Sequence, residues 1–328
     1  MAELTTGDLV VTRVRHSDNA EFLTSEVTKS IFKDRNASSG RAEYLQGGNY
    51  TFVVPAGIKM ISALCIGSGA GGAYTWANSA GSGGGLAWYD NIEVQAGDTI
   101  SITVGGKVSS QTSGQTSSFG SYFSATGGQH NGSNSSQVGQ PQAGTVTPNG
   151  GNGGWVYGSW QGGGGGAGGY TGNGGNGWYG GSGTNGGQAN GTGGAGGGGG
   201  GYASSTYAFA GGGGVGIRGE DGGGVLGPSV DPNQQTAPFN SGNTFYSDYR
   251  YSGPGGSGGE HGGPPSNGST TNPVSGRTQY SGEGGNYGGG GGGAGTSLSS
   301  NNNFGHGGAG AVVVVWSTDT NFSIGRKH

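Results

Sequence analysis

Residues 308–317 have the sequence GAGAVVVVWS, and four consecutive valines followed by Trp316 are typical of a central β-strand buried on both faces. No strand-like stretch lies beside it in the sequence, because residues 129–307 are rich in glycine and polar residues. We therefore expect this strand to pair with strands in the first part of the chain. This pairing brings the two ends of the chain together in one β-structured unit, which we call the base. The residues between the two ends then form a long insertion.

The partner strands are predicted between residues 49 and 128. NYTFVVPAG (49–57) predicts a strand that ends in a turn, and IKMISALCIG (58–67) predicts a buried strand. GGLAWYDNIEVQAGDTISITVGG (84–106) predicts two strands joined at QAGD, and TSSFGSYFSATGG (116–128) predicts one or two short ones. The fold class expected is mostly β and irregular, with a small β-sandwich as its base. The single cysteine, Cys65, falls in a predicted strand and is expected to be a buried core residue.

The insertion consists of glycine tracts separated by short aromatic or polar stretches. Glycine supplies 88 of the 328 residues, several times the usual share of about 7%. Such a composition is often disordered. Two features oppose disorder here: only 9% of the residues are charged, and the chain holds ten Phe, fifteen Tyr and six Trp. The main tracts are 149–154, 162–169, 172–177, 191–201, 211–214, 253–259 and 284–295.

Glycine tracts of this kind are poor α-helices, because each Gly costs about 1 kcal/mol relative to Ala. They can instead form the left-handed polyproline II helix of three residues per turn. Without a Cβ, such helices approach closely and hydrogen-bond to one another through N–H and C=O groups. Collagen is excluded, since the Gly-X-Y period fails and the chain has only 10 Pro. We expect the insertion to be an array of packed polyglycine II helices with loops at its ends.

Residues 1–48 differ from the rest of the chain in their many charges and few glycines. LVVTRVR (9–15) predicts a strand, and SDNAEFLTSEVTKSIFKD (17–34) predicts a short amphipathic helix with Asp18 as N-cap. This segment is too small to form a core alone and is expected to be an attachment piece. The expected domains are therefore residues 1–48, the base (49–128 with 308–328), and the glycine-rich domain (129–307).

Composition excludes several functions. The net charge is −4, and the insertion has no cationic stripe, so nucleic-acid binding is not expected. The start of the chain does not resemble a signal peptide, and no apolar run is long enough to span a bilayer. We therefore expect synthesis in a cytoplasm without membrane insertion.

Catalysis and metal binding are not expected either, and no cofactor is predicted. The histidines are not spaced along the sequence as metal ligands are, and Cys65 has no second cysteine to share a metal site. The acidic residues of the insertion are scattered and form no catalytic cluster. The many G-x-G-x-x-G matches follow by chance from the glycine content. The five histidines are His16, His130, His261, His306 and His328.

The aromatic stretches between the tracts are the candidate binding site. Tyr and Trp mixed with Ser, Gly and Asn is the composition of recognition loops. The same rings could instead fill gaps between glycine helices, and for any one ring both interpretations stay open. The candidate receptor-binding residues are Trp155, Tyr157, Trp160, Trp178, Tyr179, Tyr207, Phe209, Phe245, Tyr246, Tyr249, Arg250 and Tyr251.

Four stretches together resemble the glycine-rich domain of bacteriophage tail-fibre and virion proteins. They are TFVVPAGIKMISALCIGSGAGG (51–72), SGGGLAWYDNIEVQAGDTISITVGG (82–106), TSSFGSYFSATGG (116–128) and GGAGAVVVVW (307–316). The insertion resembles the polyglycine-helix adhesins at the tips of T-even-like long tail fibres. The resemblance spans about residues 49–317, and residues 1–48 depart from it.

This resemblance implies a virion protein at the fibre tip that binds a host receptor, either an outer-membrane protein or a surface glycan. The receptor contacts would lie in the loops between the tracts, and residues 1–48 would bind other tail or fibre proteins. Two alternatives remain open. One is a structural or fibre-connecting virion protein without receptor contact. The other is an ice-binding or extracellular-matrix protein built on glycine helices.

Overall fold

A computed structural model describes residues 39–72, 80–130, 138–154, 164–177, 211–218, 283–292 and 305–317, together with the backbone of several short strands elsewhere. The described residues are strand or irregular and contain no helix. The strands are β1 (Leu4–Thr6), β2 (Leu9–Val11), β3 (Val14–Arg15), β4 (Glu21–Phe22), β5 (Ser39–Tyr44), β6 (Gly48–Val53), β7 (Met60–Ile66), β8 (Leu86–Glu93), β9 (Thr99–Val104), β10 (Ser117–Phe119), β11 (Phe123–Ala125), β12 (Pro141–Ala143), β13 (Ser269–Thr270), β14 (Gln279–Tyr280) and β15 (Ala311–Ser317).

A four-stranded antiparallel sheet contains the valine strand β15 in its interior, in the order β5-β15-β7-β8. β15 pairs with β7 from Ala311 opposite Ile66 to Trp316 opposite Ile61. The predicted return of the C-terminal strand to the strands of the first part of the chain is therefore confirmed. On its other side β15 pairs with β5, from Val312 opposite Tyr44 to Ser317 opposite Ser39, so this sheet begins before residue 49.

A five-stranded antiparallel sheet has the order β12-β11-β10-β9-β6. Its strands β6, β9, β10 and β11 fall where the sequence predicts them, and the QAGD turn joins β8 to β9. The Asp98 N–H donates to the Gln95 carbonyl there, and the Gln95 N–H donates to the Asp98 carboxylate. β5 and β12 were not predicted, because SGRAEY and PQA carry few apolar residues and no alternating pattern.

Side chains from both sheets meet in one buried cluster. Phe52, Ile100 and Ile102 of the five-stranded sheet lie in the same cluster as Ala63 and Val314 of the four-stranded sheet. Cys65 is fully buried in it, and burial raises the pKa of its thiol well above the usual value. The predicted core role of Cys65 is confirmed.

The opposite face of the four-stranded sheet is also buried, and glycine-rich segments cover it. Val313 and Val315 share a cluster with Ala167, Tyr170 and Val215, which come from the insertion. The Tyr170 hydroxyl donates to the Gly216 carbonyl at 2.9 Å. Val312 to Val315 are at most 1% exposed, so β15 is buried on both faces as its sequence predicts.

The N-terminal segment forms two short hairpins, β1 with β2 and β3 with β4. Glu21 and Phe22 are strand residues paired with Arg15 and Val14, so the helix predicted over residues 17–34 is wrong at these two positions. Asp18, expected as the helix N-cap, lies outside the described residues, as does the rest of the predicted helix.

Truncation of a valine in β15 tests how much the base depends on this strand. Val314→Ala removes two methyl groups from the shared core, and the expected loss in free energy of unfolding is about 2–3 kcal/mol. Val53→Ala on β6 is the matched control, because Val53 is 58% exposed. The expected loss for this control is less than about 1 kcal/mol. Urea unfolding followed by tryptophan fluorescence measures both. Equal losses would show that β15 does not anchor the core.

Candidate functional site

The strands of the base continue at one end into glycine-rich segments that pack side by side without strand or helix structure. We call this set of segments the glycine array. Segment 67–72 follows β7, segment 81–85 precedes β8, and segment 305–310 precedes β15. The other members of the array are segments 126–130, 138–140, 150–154, 164–169, 172–177, 211–216 and 283–292.

Backbone hydrogen bonds in the array rotate among neighbours with a period of three residues. In segment 81–85 and the residue after it, Gly81 and Gly84 donate to segment 283–292, at Gly291 and Gly288. The two residues that follow these, Ser82 and Gly85, donate to segment 126–130. The next two, Gly83 and Leu86, donate to segment 150–154. This segment therefore uses three neighbours in turn.

The same rotation recurs in two other segments of the array. In segment 67–72, residues three apart donate to the same neighbour: segment 81–85, residues 112–115, or segment 305–310. In segment 164–169, Gly165 and Gly168 donate to segment 81–85, and Gly166 and Gly169 donate to segment 172–177. Ala167, between them, donates to segment 211–216. A chain with three rows of donors has a threefold repeat along its axis.

The segments approach so closely that a side chain cannot be added at most of the glycine positions. A Cβ on Gly83 would overlap the Gly166 carbonyl, and one on Gly165 would overlap the Gly154 carbonyl. The close approach therefore explains why glycine occupies these positions.

Serine and threonine hydroxyls add side-chain hydrogen bonds to the backbone bonds between neighbouring segments. The Ser82 hydroxyl accepts the Gln129 N–H at 2.7 Å and donates to the Gln129 carbonyl at 3.0 Å. Ser68 bridges Gln115 in the same way, and Thr126 bridges Gln140. In each case the N–H of the same Ser or Thr also donates to that partner's carbonyl, so the hydroxyl reinforces an existing backbone pairing.

Several connections between array segments have both of their described flanks at the end away from the strands, which we call the array end. Gly72 donates to Gly305, and Gly305 donates to Gly292, so the flanking residues of 73–79 and 293–304 lie side by side. The flanks of three more connections, 131–137, 155–163 and 178–210, lie at the same end, because backbone bonds link them to one another and to the segments already named. These bonds run from Gly81 to Gly291, Ser82 to Gln129, Gly139 to Gly83, Gly165 to Gly81, Gly154 to Gly166, Gly166 to Gly175 and Gly212 to Gly290.

One described turn, 109–113, also lies at the array end. The Gln111 N–H donates to the Gly72 carbonyl at 2.8 Å, and the Gly71 N–H donates to the Thr112 carbonyl at 2.9 Å. The Ser113 hydroxyl accepts the N–H of His130, the residue before connection 131–137, at 3.1 Å. Burial lowers the pKa of His130, and a backbone hydrogen bond with Gly71 opposes this shift.

The segment that begins at residue 219 does not start at the array end. Ile217 is buried against the four-stranded sheet, and its carbonyl accepts a hydrogen bond from the Arg41 guanidinium of β5. Arg218 lies 3.8 Å from the Glu43 carboxylate. Residues 219–282 therefore leave beside β5 and return at Glu283, whose neighbour Gly284 donates to His306 at the array end.

All the candidate receptor-binding residues lie outside the described residues. Seven of them fall in connections whose flanks are both at the array end: Trp155, Tyr157, Trp160, Trp178, Tyr179, Tyr207 and Phe209. The other five fall in the segment that starts beside β5: Phe245, Tyr246, Tyr249, Arg250 and Tyr251. Sequence reasoning missed turn 109–113, although its SSQTS composition is typical of a turn.

The described residues offer no group of three or more His, Cys, Asp or Glu side chains that could hold a metal ion. Within the same residues, no helix has the length and apolar character needed to cross a membrane. Neither the protein-family models nor the curated proteins contain a match to this chain.

Adding one methyl group tests the close approach of the array segments. Gly83→Ala forces the new Cβ against the Gly166 carbonyl, and the expected loss in free energy of unfolding is about 3 kcal/mol. Gly106→Ala is the control, because its Cβ would have only ordinary contacts, at 3.6 Å, and its expected effect is within about 0.5 kcal/mol. Thermal and urea unfolding measure both variants, and a Gly83→Ala protein as stable as the control would contradict the tight packing.

Proposed function

We propose that this protein is a receptor-binding adhesin of a bacteriophage tail fibre, located in the virion at the fibre tip. It recognises a receptor on the outer surface of the host bacterium through connections carried by the glycine array. The observation that carries this proposal is that the described flanks of five connections converge on the array end. Binding residues are commonly held on loops positioned by a rigid scaffold.

The proposed scaffold is a β-sandwich base extended by packed polyglycine II helices. Polyproline II geometry has three residues per turn, and the donors of three array segments rotate among three neighbours with that period. Overlap of an added Cβ with neighbouring carbonyls supports the same geometry. Such a scaffold is stiff because its backbone groups are paired in several directions.

The composition of the connections supports recognition as their role. Connection 155–163 carries Trp155, Tyr157 and Trp160 among Gly and Ser, within reach of two fixed ends. Tyr and Trp supply large contact areas at a low cost in conformational entropy. Hot spots of protein interfaces are enriched in these residues and in Arg.

The strand register supports an attachment role for the opposite end of the molecule. Ser39 pairs with Ser317, and Met60 pairs with Glu93, so the chain enters β5 and leaves β15 at the end of the base farthest from the array end. Residues 1–38 therefore join the base on the side opposite the converging connections. We propose that the N-terminal segment binds another tail or fibre protein from that side.

Binding of the purified, fluorescently labelled protein to a panel of Gram-negative strains tests the function. Saturable binding to some strains is expected, and Trp155→Ala combined with Trp160→Ala is expected to weaken it by well over tenfold. Hot-spot residues contribute about 2 kcal/mol or more each, whereas about 1.4 kcal/mol already gives tenfold. The melting temperature is expected to stay near that of the unchanged protein.

Val53→Ala, on the exposed surface of the base, is the control and is expected to bind like the unchanged protein. The combination Tyr246→Ala and Tyr249→Ala gives a second comparison, from the segment that starts beside β5. A large fall in melting temperature with normal binding by the folded fraction would assign the substituted rings to the scaffold. Absence of binding to every strain would argue against the adhesin.

A further inference from the structure

Turn 109–113 presents a group of neutral polar side chains at the array end. Ser109, Gln111 and Thr112 are exposed there. The two hydroxyls of Ser109 and Thr112 are 3.2 Å apart, and the Thr112 hydroxyl donates to the Ser110 carbonyl at 3.2 Å. Lys107, just before the turn, is paired with Glu283 at 2.8 Å, so its charge is compensated.

Gln111 has an unusual backbone conformation for its residue type. Its φ is +58°, in the left-handed region that favours glycine. Among non-glycine residues this region is enriched in Asn, Asp and His, and Gln does not belong to that group. Asn91 of β8, with φ of +57°, is in the same region and is of an enriched type. In a chain so rich in glycine, a glutamine at such a position suggests that its side chain is needed.

The turn is held firmly in this conformation. The Gln111 N–H bonds to Gly72, the last described residue before connection 73–79. Ser113 bonds to His130, the last described residue before connection 131–137. Gln111 is therefore fixed between the starts of two connections, with its side chain exposed. Strained residues held by their surroundings are concentrated at binding and catalytic sites.

We propose that Gln111, with the hydroxyls of Ser109 and Thr112, binds neutral sugar hydroxyls of a saccharide on the host surface. An amide supplies two donors and an acceptor, and each hydroxyl supplies both functions, which matches the hydroxyl groups of a sugar. Protein interfaces are anchored by aromatic residues and Arg, and turn 109–113 has neither. This inference rests on the proposed adhesin function and names the ligand class of one part of its surface.

Two substitutions to glycine separate recognition from stability. Gln111→Gly and Asn91→Gly both relieve a left-handed backbone and both add chain freedom, so neither is expected to lower the melting temperature by more than about 2 °C. Gln111→Gly is expected to weaken binding at least fivefold, whereas Asn91→Gly, on β8 of the base, leaves binding unchanged. Gln111→Glu keeps the length of the side chain and removes the amide donors, and it is expected to weaken binding similarly.

The probes are intact cells of a strain that binds and lipopolysaccharide extracted from that strain free of protein. Binding of the unchanged protein to both probes, with loss in both Gln111 variants, is the expected result. Gln111 variants that bind as tightly as the unchanged protein would overturn the site while leaving the adhesin function in place. Binding to cells but not to lipopolysaccharide would overturn the saccharide class in favour of a protein receptor. Failure of the unchanged protein to bind any strain would overturn the adhesin function itself, and the Gln111 site with it.

Discussion

Close approach of backbones is the constraint on which the rest of this structure depends. In an ordinary protein, side chains separate neighbouring segments, and their packing provides most of the stability. In the glycine array, N–H and C=O groups of adjacent segments meet directly, and an added Cβ at Gly83 or Gly165 would overlap a carbonyl. Ordering glycine costs more backbone entropy than ordering any other residue, so this arrangement requires dense hydrogen bonding in return.

The array is also tied to a conventional core, and β15 makes this link. Val314 faces the cluster shared by the two sheets, while Val313 faces the cluster that includes Ala167 and Val215 of the array. One strand thus contributes to both hydrophobic clusters. Apolar burial is the main favourable term in folding, and the glycines of the array have no side chains to bury. The contact with β15 therefore gives the array apolar burial that its glycines do not supply.

The base could be predicted from the sequence because its strands carry their own signal. The valines of β15 and the alternation in β9 are visible without any knowledge of partners. β5 has no such signal: Arg41 and Glu43 occupy a strand that forms because β15 offers it an edge to pair with. The rotation of hydrogen bonds and the hydroxyl bridge from Ser82 to Gln129 depend on contacts between distant residues, and a local pattern cannot reveal them.

The same reasoning explains how much of the candidate site the sequence predicts. Aromatic stretches between glycine tracts are evident from composition, which is why they are the candidates. Composition does not say where each stretch is attached, and segment 219–282 starts beside β5 because Ile217 packs on the sheet. The proposed role of Gln111 was missed because it rests on a backbone angle, and SSQTS alone predicts only a turn.

The threefold repeat constrains the lengths of the array segments. Each residue of segment 81–85 donates to a neighbour fixed by its position in a cycle of three. Inserting one residue would turn every later donor away from its acceptor, whereas inserting three would restore the cycle one turn further along. Lengths of the array segments should therefore change in steps of three during evolution. The connections between array segments are under no such rule, so their lengths can vary while the array segments keep their hydrogen bonds in phase.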